Sequence, residues 1–102
     1  MSLIFIYITS PSKNHAEKIA THLLKKKLVA YANPFSIKSF YWWKGRIGES
    51  NEYVLIAKTL RKNFEKIKKE IKKVHEYKIP CITRIEVKAN KEFEDWIKKE
   101  VR

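Results

Sequence analysis

Glutamine is absent from this 102-residue chain, glycine occurs twice and cysteine once. One thiol, Cys81, excludes an internal disulfide. Gly45 and Gly48 are too few for a glycine-rich phosphate loop. No run of about 18 apolar residues occurs, so no membrane-spanning helix and no membrane partner is expected. The apolar run at residues 3–8 lacks a basic leader and is too short for a signal peptide, which points to a cytoplasmic protein. A GxSxG nucleophile motif is missing, and no two carboxylates stand out as an acid and its base. These absences leave no constellation for an enzyme. Missing glutamine beside abundant Lys, Glu and Ile leans towards a thermophilic source.

What is present in excess is positive charge, a formal +12. Such a charge draws nucleic acid or anionic surfaces non-specifically in dilute salt. It does not define a site, because many lysines fall on the outer positions of expected helices, where a charge run is a solvated face. The length, 102 residues, suits one domain with one core.

The stretch Ser39-Phe40-Tyr41-Trp42-Trp43-Lys44-Gly45-Arg46-Ile47 organises the rest. Aromatic and β-branched residues favour a pleated surface, and a Lys-Gly pair permits the positive φ of a tight hairpin. Two long antiparallel strands are expected, at residues 35–43 and 46–59. Alternation sends Phe40 and Trp42 to one face and Tyr41 and Trp43 to the other. One wet face would leave two large aromatics exposed, so the ribbon needs a cover.

The remaining elements follow in order. Residues 3–9 (LIFIYIT) are continuously apolar and read as a central strand. Residues 13–27 read as a helix with Ala16, Ile19, Ala20, Leu23 and Leu24 on one stripe, capped by Ser12 or by Asn14 with Glu17. Residues 28–32 begin a second strand, which Asn33-Pro34 should bend or bulge before it resumes to Trp43. Residues 48–51 look irregular, and residues 53–57 (YVLIA) suit the middle of a sheet. Phe64, Ile67, Ile71 and Val74 mark a helix over residues 60–75, ended by Pro80. Residues 82–87 alternate as a strand, and Asn90 caps a last helix carrying Phe93, Trp96, Ile97 and Val101. The order βαββαβα is an α+β, ferredoxin-like split βαβ with an added C-terminal helix. Both main helices then lie on one face. Only the short last helix is left for the other, so a second chain is its natural cover.

Two candidate sites arise from the residues alone. His75 and Cys81 are six apart across a helix end, and imidazole with thiolate suits Cu(I) or Zn(II). The alternative is a helix-end histidine beside a buried thiol. A basic nucleic-acid module on the same sheet is the second candidate, with Tyr7 and Tyr53 as stacking residues if they face outward. The RNA-binding pattern K/R-G-F/Y-G/A-F-V-x-F/Y is not met by Lys44-Gly45-Arg46-Ile47-Gly48.

Five segments in order resemble the CutA, or divalent-cation tolerance, family. They are Thr9-Ser10-Pro11 with Ala16-Glu17, the LVAYAN run at residues 28–33, and Ser39 to Gly45 against S-x-Y-x-W-x-G. Glu52 with Ile56-Ala57-Lys58-Thr59 and the HEYKIPCI run at residues 75–82 complete them. The resemblance implies a homotrimer built like the PII signalling proteins, with Tyr41, Trp42 and Trp43 in the trimer interface. It implies a non-enzymatic role, with a small ligand or ion in clefts between subunits. Carried over by position, the cleft residues are Trp43, Lys58, His75 and Tyr77. Copper or another divalent metal is the only cofactor class implied, and none is required. The chain departs from the family at Tyr31, where the pattern has Cys, at Glu76 (Pro) and at Cys81 (Glu). Ile8 stands where copper-binding members have Cys, and Val74 where some have a second His. Of the ligands in those members, His75 alone remains.

Overall fold

A computed structural model describes residues 3–102. The elements are β1 (Leu3–Ser10), α1 (Lys13–Lys25), β2 (Tyr31–Trp43), β3 (Arg46–Leu60), α2 (Phe64–Val74), β4 (Ile82–Val87) and α3 (Lys91–Glu100), with a 3-10 turn at Arg61–Asn63 before α2. The four strands form one antiparallel sheet in the order β2-β3-β1-β4. The two continuously apolar stretches, in β1 and β3, are its inner strands, as expected.

Strand alternation divides the sheet into two faces. Ile4, Ile6 and Ile8 of β1, with Leu55 and Ala57 of β3, face α1 and α2 and meet Ile19, Ala20, Leu23, Ile67 and Ile71 there. Leu3 and Leu60 point the other way and meet Ile97 of α3 and Val101 just after it. α3 therefore covers one corner of that second face. The rest stays open and carries Phe5, Tyr7, Phe35, Ile56 and Ile85.

Several local expectations are corrected. β2 starts at Tyr31, and Leu28 and Val29 precede it as buried core residues. The β2–β3 register runs without a break from Tyr31↔Lys58 to Trp43↔Arg46, so there is no bulge at Asn33-Pro34 or at residues 48–51. Proline is tolerated because β2 is an edge strand. α1 ends at Lys25, and Lys27 adopts φ 60° while the Leu28 N–H bonds back to the Leu23 carbonyl. This is a left-handed helix stop with Lys in the place glycine usually takes. Ser12, not Asn14, is the cap, its hydroxyl accepting the His15 N–H at 3.2 Å. Asn90 makes no side-chain cap bond and donates instead to Glu92 at 3.3 Å.

β1 pairs with β3 only from Tyr53 onwards, so Arg46–Glu52 and their partners on β2 form a free two-stranded ribbon. Lys44 (φ 50°) and Gly45 (φ 76°) make its turn, the two positive angles a tight hairpin needs. Gly48 lies opposite Tyr41, and a Cβ there would sit 2.9 Å from the ring. The absent side chain lets Tyr41 lie across the ribbon.

Candidate functional site

The ribbon joins the sheet beside the loop that follows α2, and the polar contacts concentrate there. Tyr77 reaches from that loop to β3 and donates its hydroxyl to Glu52 at 2.5 Å. Burial, and then the Glu52 bond and charge, push the Tyr77 phenol well above its ordinary pKa, so it stays a donor. A cleft of about 520 Å³ opens here, lined by Ser39, Tyr41, Trp43, Glu52, Tyr77 and Ile79. Its walls are aromatic and its polar groups few, the usual character of a small-ligand pocket.

Behind Tyr77 stands His75, their ring centroids 5.0 Å apart. His75 closes the end of α2. Its Nε2–H donates to the Thr9 carbonyl at 2.7 Å, and its Nδ1 accepts the Tyr77 N–H at 3.0 Å. Both ring nitrogens are thus used within the chain, which fixes the tautomer and the path of the loop. Buried His15 of α1 packs edge-on against His75 at 4.8 Å. Its Nε2 accepts the Glu76 N–H at 3.1 Å, and its Nδ1 lies 3.6 Å from the Glu76 carboxylate.

His15 has its pKa lowered from 6.5, first by burial and then by His75, against which Glu76 pulls upward and Lys18 downward. A folded-state pKa below the unfolded value means that the unfolded chain takes the proton first as pH falls. Stability from His15 is therefore complete above about pH 6.5 and is lost as pH falls from there through the folded value. Urea midpoints should decline between pH 7.5 and 5, and the decline should flatten in His15→Gln. Parallel declines in the two proteins would remove His15 as the cause.

Lys58 lies elsewhere. The register sets Tyr31, Lys58 and Phe5 in one row across β2, β3 and β1. The Lys58 ammonium sits 4.6 Å from the Tyr31 ring, 5.2 Å from Phe5 and 5.7 Å from Phe93 of α3. Each face contributes about 0.5–2 kcal/mol of cation–π attraction, depending on desolvation. Among the described residues no carboxylate pairs with it. Lys58 lies six positions along β3 from Glu52, about 20 Å at strand rise. Of the cleft residues carried over by position, Trp43 and Tyr77 line the cleft, His75 backs it, and one chain does not bring Lys58 to it.

The fit to a metal is poor. Cys81 is exposed, its Sγ 3.5 Å from the Thr83 hydroxyl. Among the described residues no three His, Cys, Asp or Glu side chains gather as ligands. Loading His75 would also break one of its two hydrogen bonds. Cu(I) titrated calorimetrically should bind the Cys81→Ala variant as it binds the parent. An affinity loss of about tenfold would instead reinstate the His75–Cys81 pair. The nucleic-acid candidate also changes. Tyr7 lies on the open face, but Tyr53 pairs with Ser10 on the opposite one, so the two cannot stack bases together.

The fold has close counterparts. A model of the CutA1 divalent ion tolerance protein family matches residues 4–100. The chain belongs to that family. The divalent-cation tolerance protein CutA of Archaeoglobus fulgidus is 49% identical over 94 residues, covering 91% of this chain and 92% of that one. The CutA of Pyrococcus horikoshii is 39% identical over 101 residues, covering 98% and 99%. Among solved structures, the Archaeoglobus protein, described as a periplasmic divalent cation tolerance protein, superposes with a TM-score of 0.95 at 46% identity, covering 98% of this chain and 99% of that one. Oryza sativa CutA1 does so at 0.96 and 30% identity, covering 100% and 95%. This chain therefore shares the CutA1 fold across nearly its whole length.

Sequence reasoning missed two members of the site. Glu52 stood only in a motif string, with no hint that Tyr77 would bond it. His15 has no other candidate group near it in the sequence and was given no role. Its position three after the Ser12 cap, on the side of the Ala16–Ile19 stripe, was the available signal.

Proposed function

We propose that the protein works as a non-enzymatic, cytoplasmic homotrimer built like the PII signalling proteins, responding to a small ligand held between subunits. The observation that carries this is the uncovered apolar surface. Trp42 is 75% exposed, Trp43 62%, Phe40 65% and Ile47 68%, all on the free ribbon. Phe40, Trp42 and Ile47 lie on one side of the ribbon; Trp43 lies on the other, which Phe35, Tyr31 and Ile85 continue across the open sheet face. Large apolar side chains exposed on both sides of a ribbon mark an interface rather than a solvated wall. The ribbon aromatics Tyr41, Trp42 and Trp43 are the contacts with neighbouring chains.

The same reading explains why Lys58 is far from the Trp43–Tyr77 cleft. In a closed ring, the Lys58 end of one sheet faces the ribbon base of the next. The ligand then meets an ammonium on one side and the Glu52–Tyr77 pair on the other. That set favours a small zwitterionic or polar anionic molecule. A metal ion would need donors from more than one chain.

Light scattering after size exclusion tests the assembly. The expected mass is three times the 12.2 kDa of one chain, unchanged between low and high salt. A monomer would overturn the reading, because the cleft would then lack its second wall.

A further inference from the structure

The surface least explained by this function is the groove between α1 and α2, on the side of the molecule opposite the open sheet face. His22, Lys25 and Lys26 form one line at the end of α1, at helical spacings of three and four. Lys66, Lys69, Glu70 and Lys73 form the facing line on α2. Leu28 and Arg102 close the groove, which encloses about 450 Å³.

Its charges do not cancel. Glu70 is the only carboxylate side chain in the lining, and both its oxygens are taken. Oε1 meets His22 at 2.9 Å and Lys26 at 3.5 Å, and Oε2 meets Lys73 at 3.0 Å. The bonds from Lys73 and His22 hold its pKa down to about 2, so it stays charged and occupied across the physiological range. Lys25, Lys66, Lys69 and the Arg102 side chain have no carboxylate within ion-pair distance among the described residues. Lys69 and Lys73 are one turn apart, a like-charge spacing that destabilises a helix. A glutamate at either position would relieve it, as Asp95 does for Lys91 on α3 at 2.8 Å. Glu70 compensates Lys73, but Lys69 is left without a carboxylate partner among the described residues inside a concave surface, the pattern of a binding site.

From this juxtaposition we infer that the α1–α2 groove binds a compact oligophosphate, of the pyrophosphate or triphosphate class. Four unneutralised cations match an anion carrying about four charges, whereas a carboxylate would leave most of them unpaired. Lysine ammonium groups act as point-charge phosphate ligands with three donors each. Leu28 and Arg102 close the groove within two helical turns, which suits a short anion better than a polynucleotide needing a continuous basic track. The site is separate from the intersubunit cleft.

The test is calorimetric titration of the folded, assembled protein with sodium tripolyphosphate, at about 50 and 200 mM salt. Saturable binding of one anion per chain is expected, weakening as salt rises. Lys66→Glu with Lys69→Glu should lower the affinity at least about tenfold with little change in thermal stability, since Lys69→Glu relieves the like-charge spacing with Lys73 while Lys66→Glu adds one with Glu70. Lys98→Glu with Lys99→Glu on α3 changes the net charge equally and should alter the affinity less than about twofold. Equal losses in the two variants would mean that net charge, not the groove, attracts the anion, and the proposal fails. It fails too if tripolyphosphate gives no saturable heat. If a single-stranded oligonucleotide alone depends on Lys66 and Lys69, the groove is a nucleic-acid contact instead.

Discussion

Phe35→Asp is expected to reduce the solution mass from three chains to one. Phe35 lies on the open face of edge strand β2, opposite Val54, and is 44% exposed in the single chain. Changing it removes little packing within the chain. The direct cost there is about 1 kcal/mol, the span of strand propensities. In the proposed trimer the same position would be covered, and each of three carboxylates would have to leave water without a partner. That costs several kcal/mol per site, far more than the intrachain loss. The melting temperature should also fall and lose its dependence on protein concentration, since assembly no longer stabilises the folded state by mass action. Leu24→Asp, a partly exposed leucine on α1, is the control and should keep the trimer mass. If Phe35→Asp keeps the parent mass and melts within a degree or two of it, chains do not meet through this face.

This outcome bears on how the fold could be read at all. Helices and strands were legible because residues 3–9 are continuously apolar and because Phe64, Ile67 and Ile71 repeat at the period of a helix. An uncovered face was legible too, by subtraction, since βαββαβα offers two long helices for one face only. Boundaries were not. Pro34 reads as a strand breaker until the strand order shows that β2 is an edge. Lys27 reads as one more helical lysine until its φ of 60° makes it the helix stop.

The site divides in the same way. Trp43, His75 and Tyr77 could be named because they stand in motif strings. The Glu52–Tyr77 bond joins residues 25 apart in sequence, and no spacing rule reaches across a helix and a loop. The Lys58 cage needs the register Tyr31–Lys58–Phe5 and the seating of α3, both of which are tertiary facts. His15 was hidden for the opposite reason: its position is local, but its burial depends on the loop after α2 folding back over α1.

Thr59→Val combined with Asn63→Ala is expected to cost more than the sum of the two single changes. Thr59 and Asn63 are buried polar residues at the end of the sheet. The Thr59 hydroxyl donates to the Leu28 carbonyl at 2.6 Å. Asn63 Nδ2 lies 3.2 Å from that carbonyl, 3.4 Å from the Thr59 hydroxyl oxygen and 3.4 Å from the Arg102 carbonyl. Its two hydrogens are shared among three acceptors, so the knot ties the α1–β2 loop, β3, the 3-10 turn before α2 and the segment after α3 together. Asn63→Ala leaves the Leu28 carbonyl with Thr59 and strips the Arg102 carbonyl, at about 1–2 kcal/mol. Thr59→Val leaves Leu28 with the weaker Asn63 bond, at about 1 kcal/mol. Only the double variant strands the Leu28 carbonyl in a buried position, which adds a desolvation penalty of about 1–3 kcal/mol. For a domain of this size each kcal/mol lowers the melting temperature by about 4–8 °C. A double-mutant cycle by urea unfolding measures the excess directly. Simple additivity would show that water or a backbone shift rescues the Leu28 carbonyl. The four segments would then be held together by their apolar contacts alone.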